Sequence, residues 1–179
     1  MEVIALLRGV TPTGKNRIPK MSFLVEILEK VGLKKVKTYI QSGNVILETE
    51  LSKGETAKLI HDTIAKEIGA DLSVIIKEKN QLQIAIEENP FNENYDFSRI
   101  HLVFTNDSMG EDELKKLENK DFGDEKFIIG SECLYMYLAR DASPKRLNTN
   151  YLEKQLSITM TMRKLNVVEH LVELCKKQE

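Results

Sequence analysis

Arg8, Lys15, Arg17, Lys20, Lys30, Lys34, Lys35 and Lys37 face only Glu26 and Glu29 over residues 3–47, a local net charge of +6 in a chain whose total is −2. Cations at this density attract anions. A guanidinium grips a carboxylate or phosphate through two parallel N–H donors, whereas an ammonium acts as a point charge. Gly9-Val10-Thr11-Pro12-Thr13-Gly14-Lys15 has the spacing that opens a phosphate-binding P-loop. The match stops there. Asn16 stands where a Ser or Thr would hold magnesium, and Pro19 lacks the N–H that the following helix would need. These departures argue against nucleotide hydrolysis. They leave a loop that offers Lys15, Arg17 and backbone N–H groups to an anion.

Other chemistry finds less support. His61, His101 and His170 fall in three separate elements. Cys133 and Cys175 lie far apart, with no Cys-x-x-Cys, so a disulfide framework and a zinc knuckle are not expected. No spacing of His, Cys, Asp or Glu suggests a metal, and no cofactor is expected. Trp is absent, aromatics are 6% of the chain, and neither Val3–Arg8 nor Asn44–Thr49 carries one. The base-stacking platform of RNA-binding sheets is therefore missing, which leaves phosphate contact as the route to RNA. Residues 87–125 hold twelve acids and four bases, and residues 140–179 eight bases and five acids, so basic ends flank an acidic middle.

The elements that must position these groups follow from periodicity. With 41% hydrophobic and 30% charged residues in 179, the chain can bury a core. No apolar run reaches the roughly 18 residues of a membrane span, and no signal peptide opens the chain. A cytoplasmic protein is the expectation. The unbroken apolar run 3–7 predicts a central strand buried on both faces. Pro19 suits a first helical position, and Met21, Leu24, Val25, Leu28 and Val31 follow at helical spacing to a stop at Gly32. Strands over 36–40 and 44–49 flank Ser42-Gly43. Ser52-x-x-Glu55 is a capping box for a helix that ends at Gly69, and a strand over 72–76 follows.

The order is βαββαβ, the split βαβ unit of ferredoxin-like folds. It repeats loosely after a connecting helix at 79–88. Strands are expected at 100–105, 126–129, 133–138 and 158–160, with helices at 111–118 and 149–156, and a last helix at 163–176. The fold class is thus α+β: two tandem ferredoxin-like (βαββαβ) halves with mainly antiparallel sheets, plus a C-terminal helix. The halves divide as 1–78 and 79–179.

Several segments carry a family resemblance. They are Ala5-Leu6-Leu7-Arg8-Gly9-Val10 with Gly14-Lys15-Asn16, then Thr38-Tyr39-Ile40-Gln41-Ser42-Gly43-Asn44-Val45, then Asn89-Pro90-Phe91. The chain resembles the bacterial family known as domain of unknown function 1697, whose members begin with a similar "LLRGINVGGKN" segment and carry a "YIQSGNV" hairpin. Arg146–Leu156 and Thr161–Val168 resemble its "KLTNxxLEKxL" and "TTRNWxTV" segments. The departures are Val10-Thr11-Pro12-Thr13 for Ile-Asn-Val-Gly, Lys164 for Asn and Val167 for Thr. The resemblance implies a ferredoxin-like α+β architecture and no activity.

The residues at the motif positions still suggest a site. Arg8, Lys15, Asn16, Gln41, Ser42, Asn44 and Arg163 are polar and donor-rich, and strand ends and hairpin tips could bring them together on a small carboxylate- or phosphate-bearing ligand. Arg8 would clamp the anion, Lys15 would supply a point charge, and Asn16, Gln41 and Asn44 would fix its orientation. Against this stands a structural role, in which the amides serve turns and Arg8 serves an ion pair. The alternative function is a non-catalytic RNA- or protein-interaction module built on the basic N-terminal segment. A monomer and a homodimer are both compatible with the sequence. Whether the protein is an enzyme is left open.

Overall fold

Val3, Ala5 and Leu7 alternate with Ile4 and Leu6 along β1 (Glu2–Arg8), and all five are buried. A strand that is apolar on both faces belongs in the middle of a sheet. In the computed structural model, which describes residues 1–176, that is its position. The chain divides into two compact units, Met1–Lys79 and a second that begins at Asn80.

The first unit runs β1, α1 (Met21–Lys30), β2 (Lys34–Tyr39), β3 (Asn44–Glu48), α2 (Lys53–Ile68) and β4 (Ser73–Lys77). Its strands are ordered β2-β3-β1-β4 and are antiparallel throughout. Val3, Ala5, Leu7, Val45, Leu47, Val74 and Ile76 share one core with Leu24, Ile27 and Leu28 of α1 and Ile60 and Ile64 of α2. Ile4, Leu6, Ile46 and Ile75 alternate with them and are each no more than 1% exposed. Local signals set the helix ends. The Ser52 hydroxyl accepts from the Glu55 amide at 3.2 Å and the Glu55 carboxylate accepts from the Ser52 amide at 2.9 Å, the reciprocal cap. Gly69 closes α2 in the left-handed conformation. Along β2 the pairing shifts register between Lys34 and Lys37, with Lys35 at φ 50°.

The second unit repeats the topology. Beyond α3 (Lys79–Glu87) come β5 (Ile100–Phe104), α4 (Glu111–Glu118), β6 (Lys126–Ile129), β7 (Leu134–Tyr137), α5 (Thr149–Leu156), β8 (Thr161–Lys164) and α6 (Leu165–Lys176). The sheet order β6-β7-β5-β8 matches the first position for position. Val103, Leu134 and Met136 form a core with Leu117, Leu152, Leu156 and Met160. The Tyr135 hydroxyl donates to the Ala85 carbonyl at 2.7 Å, tying β7 to α3, and burial pushes its pKa up. The architecture is therefore mixed α+β with two antiparallel four-stranded sheets, as the two βαββαβ halves with a last helix require.

Three local expectations are corrected. Pro19 does not open α1, which begins two residues later at Met21. Ile18 is fully buried in the first core and its carbonyl accepts a hydrogen bond from Gln41, so the chain is pinned there before it turns helical. Val31 is 41% exposed because it follows the helix instead of packing under it. The last strand is Thr161–Lys164 and not 158–160. Ser157 ends α5 in the left-handed conformation, and the Met160 amide is taken by the Glu153 carboxylate, so 158–160 forms the connection.

Candidate functional site

The β1–α1 connection, residues 9–20, and the β2–β3 tip, residues 40–43, meet at one end of the first unit. Gly14 at φ 80° opens a turn that the Arg17 amide closes on the Gly14 carbonyl at 3.3 Å. The Thr11 amide reaches the Asn16 carbonyl at 3.1 Å, folding the loop on itself. Asn16 then fastens the loop to the segment before β4. Its amide donates to the Asp71 carbonyl at 3.3 Å, and its side-chain oxygen accepts from the Asp71 amide at 3.0 Å. Gln41 ties the hairpin to the loop by donating to the Ile18 carbonyl at 3.0 Å. The fully buried Asn44 donates to the Tyr39 carbonyl at 3.0 Å and to the Ser42 hydroxyl at 3.1 Å, bracing the tip from inside.

Tyr39 pairs with Asn44, so Ile40, Gln41, Ser42 and Gly43 make the turn. Ile40 and Gly43 both adopt positive φ, 51° and 87°. For glycine this is free, whereas for an L-residue with a side chain it costs roughly 1–2 kcal/mol. The Gly43 carbonyl accepts from the Leu7 amide at 2.9 Å, bringing the tip against β1.

Lys15, Asn16, Gln41, Ser42 and Asn44 therefore gather at one end of the first unit, with Arg8 half-buried where β1 enters the loop. Asn16, Gln41 and Asn44 hold backbone, the structural role weighed against ligand contact. Lys15, Arg17 and Lys20 are exposed, and their side chains make no hydrogen bond or ion pair with any of the described residues. Arg163 belongs to the second unit. It is 8% exposed in β8, where its guanidinium donates to the Thr161 hydroxyl at 2.7 Å and the Met162 carbonyl at 2.8 Å. Asn89-Pro90-Phe91 is used for packing. The Phe91 amide donates to the Asn89 side chain, and its ring meets those of Tyr95 and Tyr137 at centroid distances of 4.9 and 5.6 Å. Among the described residues, no three His, Cys, Asp or Glu side chains gather as metal ligands would, and no helix is long and apolar enough to cross a membrane.

Asp71 and His61 also belong to this end, which their places in the sequence do not suggest. Asp71 lies 55 residues from Asn16, and no spacing rule connects them. His61 of α2 lies 3.0 Å from the Asp71 carboxylate through Nε2 and 3.2 Å from the Asp62 carboxylate through Nδ1. With both nitrogens facing carboxylates the ring is a clamp on the loop's anchor and not a general base. The hydrogen bond to Asp71, then that to Asp62, raises its pKa above the ordinary 6.5. A folded pKa above the unfolded one stabilises fully below about pH 6.5, and the stabilisation is lost as pH rises through the folded value. Chemical denaturation should thus show stability falling as pH rises above about 6.5, with a smaller fall for His61→Gln. The ring is 40% exposed, so solvent screening keeps the effect small. Equal falls in the two proteins would remove His61 as the source.

The profile of the family described as "Protein of unknown function (DUF1697)" matches residues 1–135, which contain the loop and the hairpin. Among solved structures, the fold is similar to that of the conserved bacterial protein SP0830 from Streptococcus pneumoniae. The two chains are 19% identical over 96% of this chain and 97% of that one, with a TM-score of 0.70, a likeness of fold. No curated protein matches the sequence.

Proposed function

The chain belongs to the DUF1697 family of proteins of unknown function, and we propose from its own residues that it binds a small phosphate- or carboxylate-bearing anion at the 8–17 loop and the 41–44 hairpin. The observation that carries this reading is a division of labour. The loop's amide side chains, Asn16 and Gln41, are spent on fixing its backbone, while Lys15 and Arg17 are left exposed without a partner among the described residues. A rigid loop bearing uncompensated cations binds an anion with little ordering cost. Asp71, whose backbone Asn16 holds, turns its carboxylate to His61. Arg8 and Ser42 complete the set at the loop's entrance and the hairpin tip.

The RNA-module alternative has less to rest on. The β1 and β3 residues that alternate with the helix-facing core, Ile4, Leu6 and Ile46, are aliphatic and buried, so they offer no stacking surface.

The test is a thermal-shift and calorimetric screen of inorganic phosphate, pyrophosphate and phosphorylated metabolites against the parent and a Lys15→Ala/Arg17→Ala variant. A charge-assisted hydrogen bond contributes about 1.5–3 kcal/mol, so losing both cations should weaken binding by at least about 100-fold. Unchanged melting without ligand is expected, since neither side chain holds the fold. If no anion shifts the parent, or if parent and variant bind alike, the reading is wrong.

A further inference from the structure

We infer that Ile40 is the apolar contact of this site, and that the ligand is a small organic anion carrying an aliphatic or aromatic body beside its charged group. The inference rests on the anion-binding reading and narrows it. Ile40 is a β-branched residue at φ 51° with 47% of its surface exposed. These two facts oppose folding together. The backbone conformation is strained for a branched side chain, and exposure returns little burial in exchange. Asn, Asp or Gly would make the same turn without that cost. Gly43 shows the contrast, because there the conformation and the close packing both call for glycine.

The strain is held in place from both sides. The Tyr39 carbonyl, directly before Ile40, is fixed by the buried Asn44 amide. Gln41, directly after it, is fixed to the Ile18 carbonyl. The second tie sets the tip against the stretch that contains Lys15, Arg17 and Lys20. An exposed aliphatic side chain on a braced turn, tied to a stretch whose cations have no partner among the described residues, is suited to a ligand with charge at one end and apolar surface at the other.

Phenyl phosphate and inorganic phosphate separate the two parts of the ligand. Calorimetric titration of the parent should give at least five-fold tighter binding of phenyl phosphate. Ile40→Asn should abolish that preference, keep the parent's affinity for inorganic phosphate, and melt at or above the parent's temperature, because Asn tolerates the left-handed conformation. The melting result shows that any loss is not a folding failure. Equal affinities for the two probes in the parent, or a preference that survives Ile40→Asn, overturns the inference while leaving anion binding intact. Binding of neither probe overturns both. Cosedimentation with phosphatidylglycerol vesicles that depends on Ile40, without a preference for phenyl phosphate, overturns the small-molecule ligand in favour of a lipid surface.

Discussion

Gly43→Ala should destabilise the protein by about 3 kcal/mol, the combined cost of a left-handed alanine, roughly 1–2 kcal/mol, and of overpacking, roughly 1–3 kcal/mol. A β-carbon there would stand 2.8 Å from Leu7 Cβ and 3.0 Å from Val10 Cγ2. Leu7 is a core residue of the central strand, so it cannot yield without disturbing the sheet. The hydrogen bond from the Leu7 amide to the Gly43 carbonyl would lengthen with it. Gly14→Ala is the control. Its φ is 80°, but nothing lies within 4 Å of a built β-carbon. It should cost only the backbone share, about 1–2 kcal/mol. Urea denaturation of both variants separates steric from conformational cost, and equal losses would refute the steric part.

Glu125→Ala should cost about 3 kcal/mol, because it orphans two backbone donors at about 1–3 kcal/mol each. The Glu125 carboxylate is 2% exposed and accepts from the Arg146 amide at 2.5 Å and the Leu147 amide at 3.0 Å. It thereby fastens the β7–α5 connection, and Leu147 beside it belongs to the second core. Both amides bond the same carboxylate oxygen, which Glu125→Gln replaces with an amide oxygen, so that variant should recover most of the loss. The check is again urea denaturation. A loss below about 1 kcal/mol for the alanine variant would mean that water or a rearranged loop satisfies the amides instead.

What the sequence makes legible is local. The 3–7 run announces a central strand, Ser52 and Glu55 announce a reciprocal cap, and Gly32 and Gly69 announce helix ends, because each depends on neighbours within one turn or one strand. β8 hides for the opposite reason. Its buried residues are Thr161 and Arg163, while Met162 is only half-buried, so polarity runs against the burial pattern that marks a strand. Glu125 hides among the twelve acids of 87–125, because charge alone does not mark which carboxylate is buried. The candidate site is legible in composition but not in roles. The motif names Asn16 and Gln41, yet their partners Asp71 and Ile18 lie 55 and 23 residues away. That distance turns apparent ligand donors into fasteners of the loop.

The irregular pairing of β2 has a consequence for the protein at high concentration. β2 ends the first sheet, and a straight outer strand would offer its unpaired amides and carbonyls to any passing extended chain. Here the row is kinked at Lys35 and studded with Lys34, Lys35 and Lys37. An incoming strand would have to follow the kink and confine three long lysine side chains, two of them paired with Glu48 and Glu50, along its length. The molecule thus carries its own guard against growing into fibrils from that border.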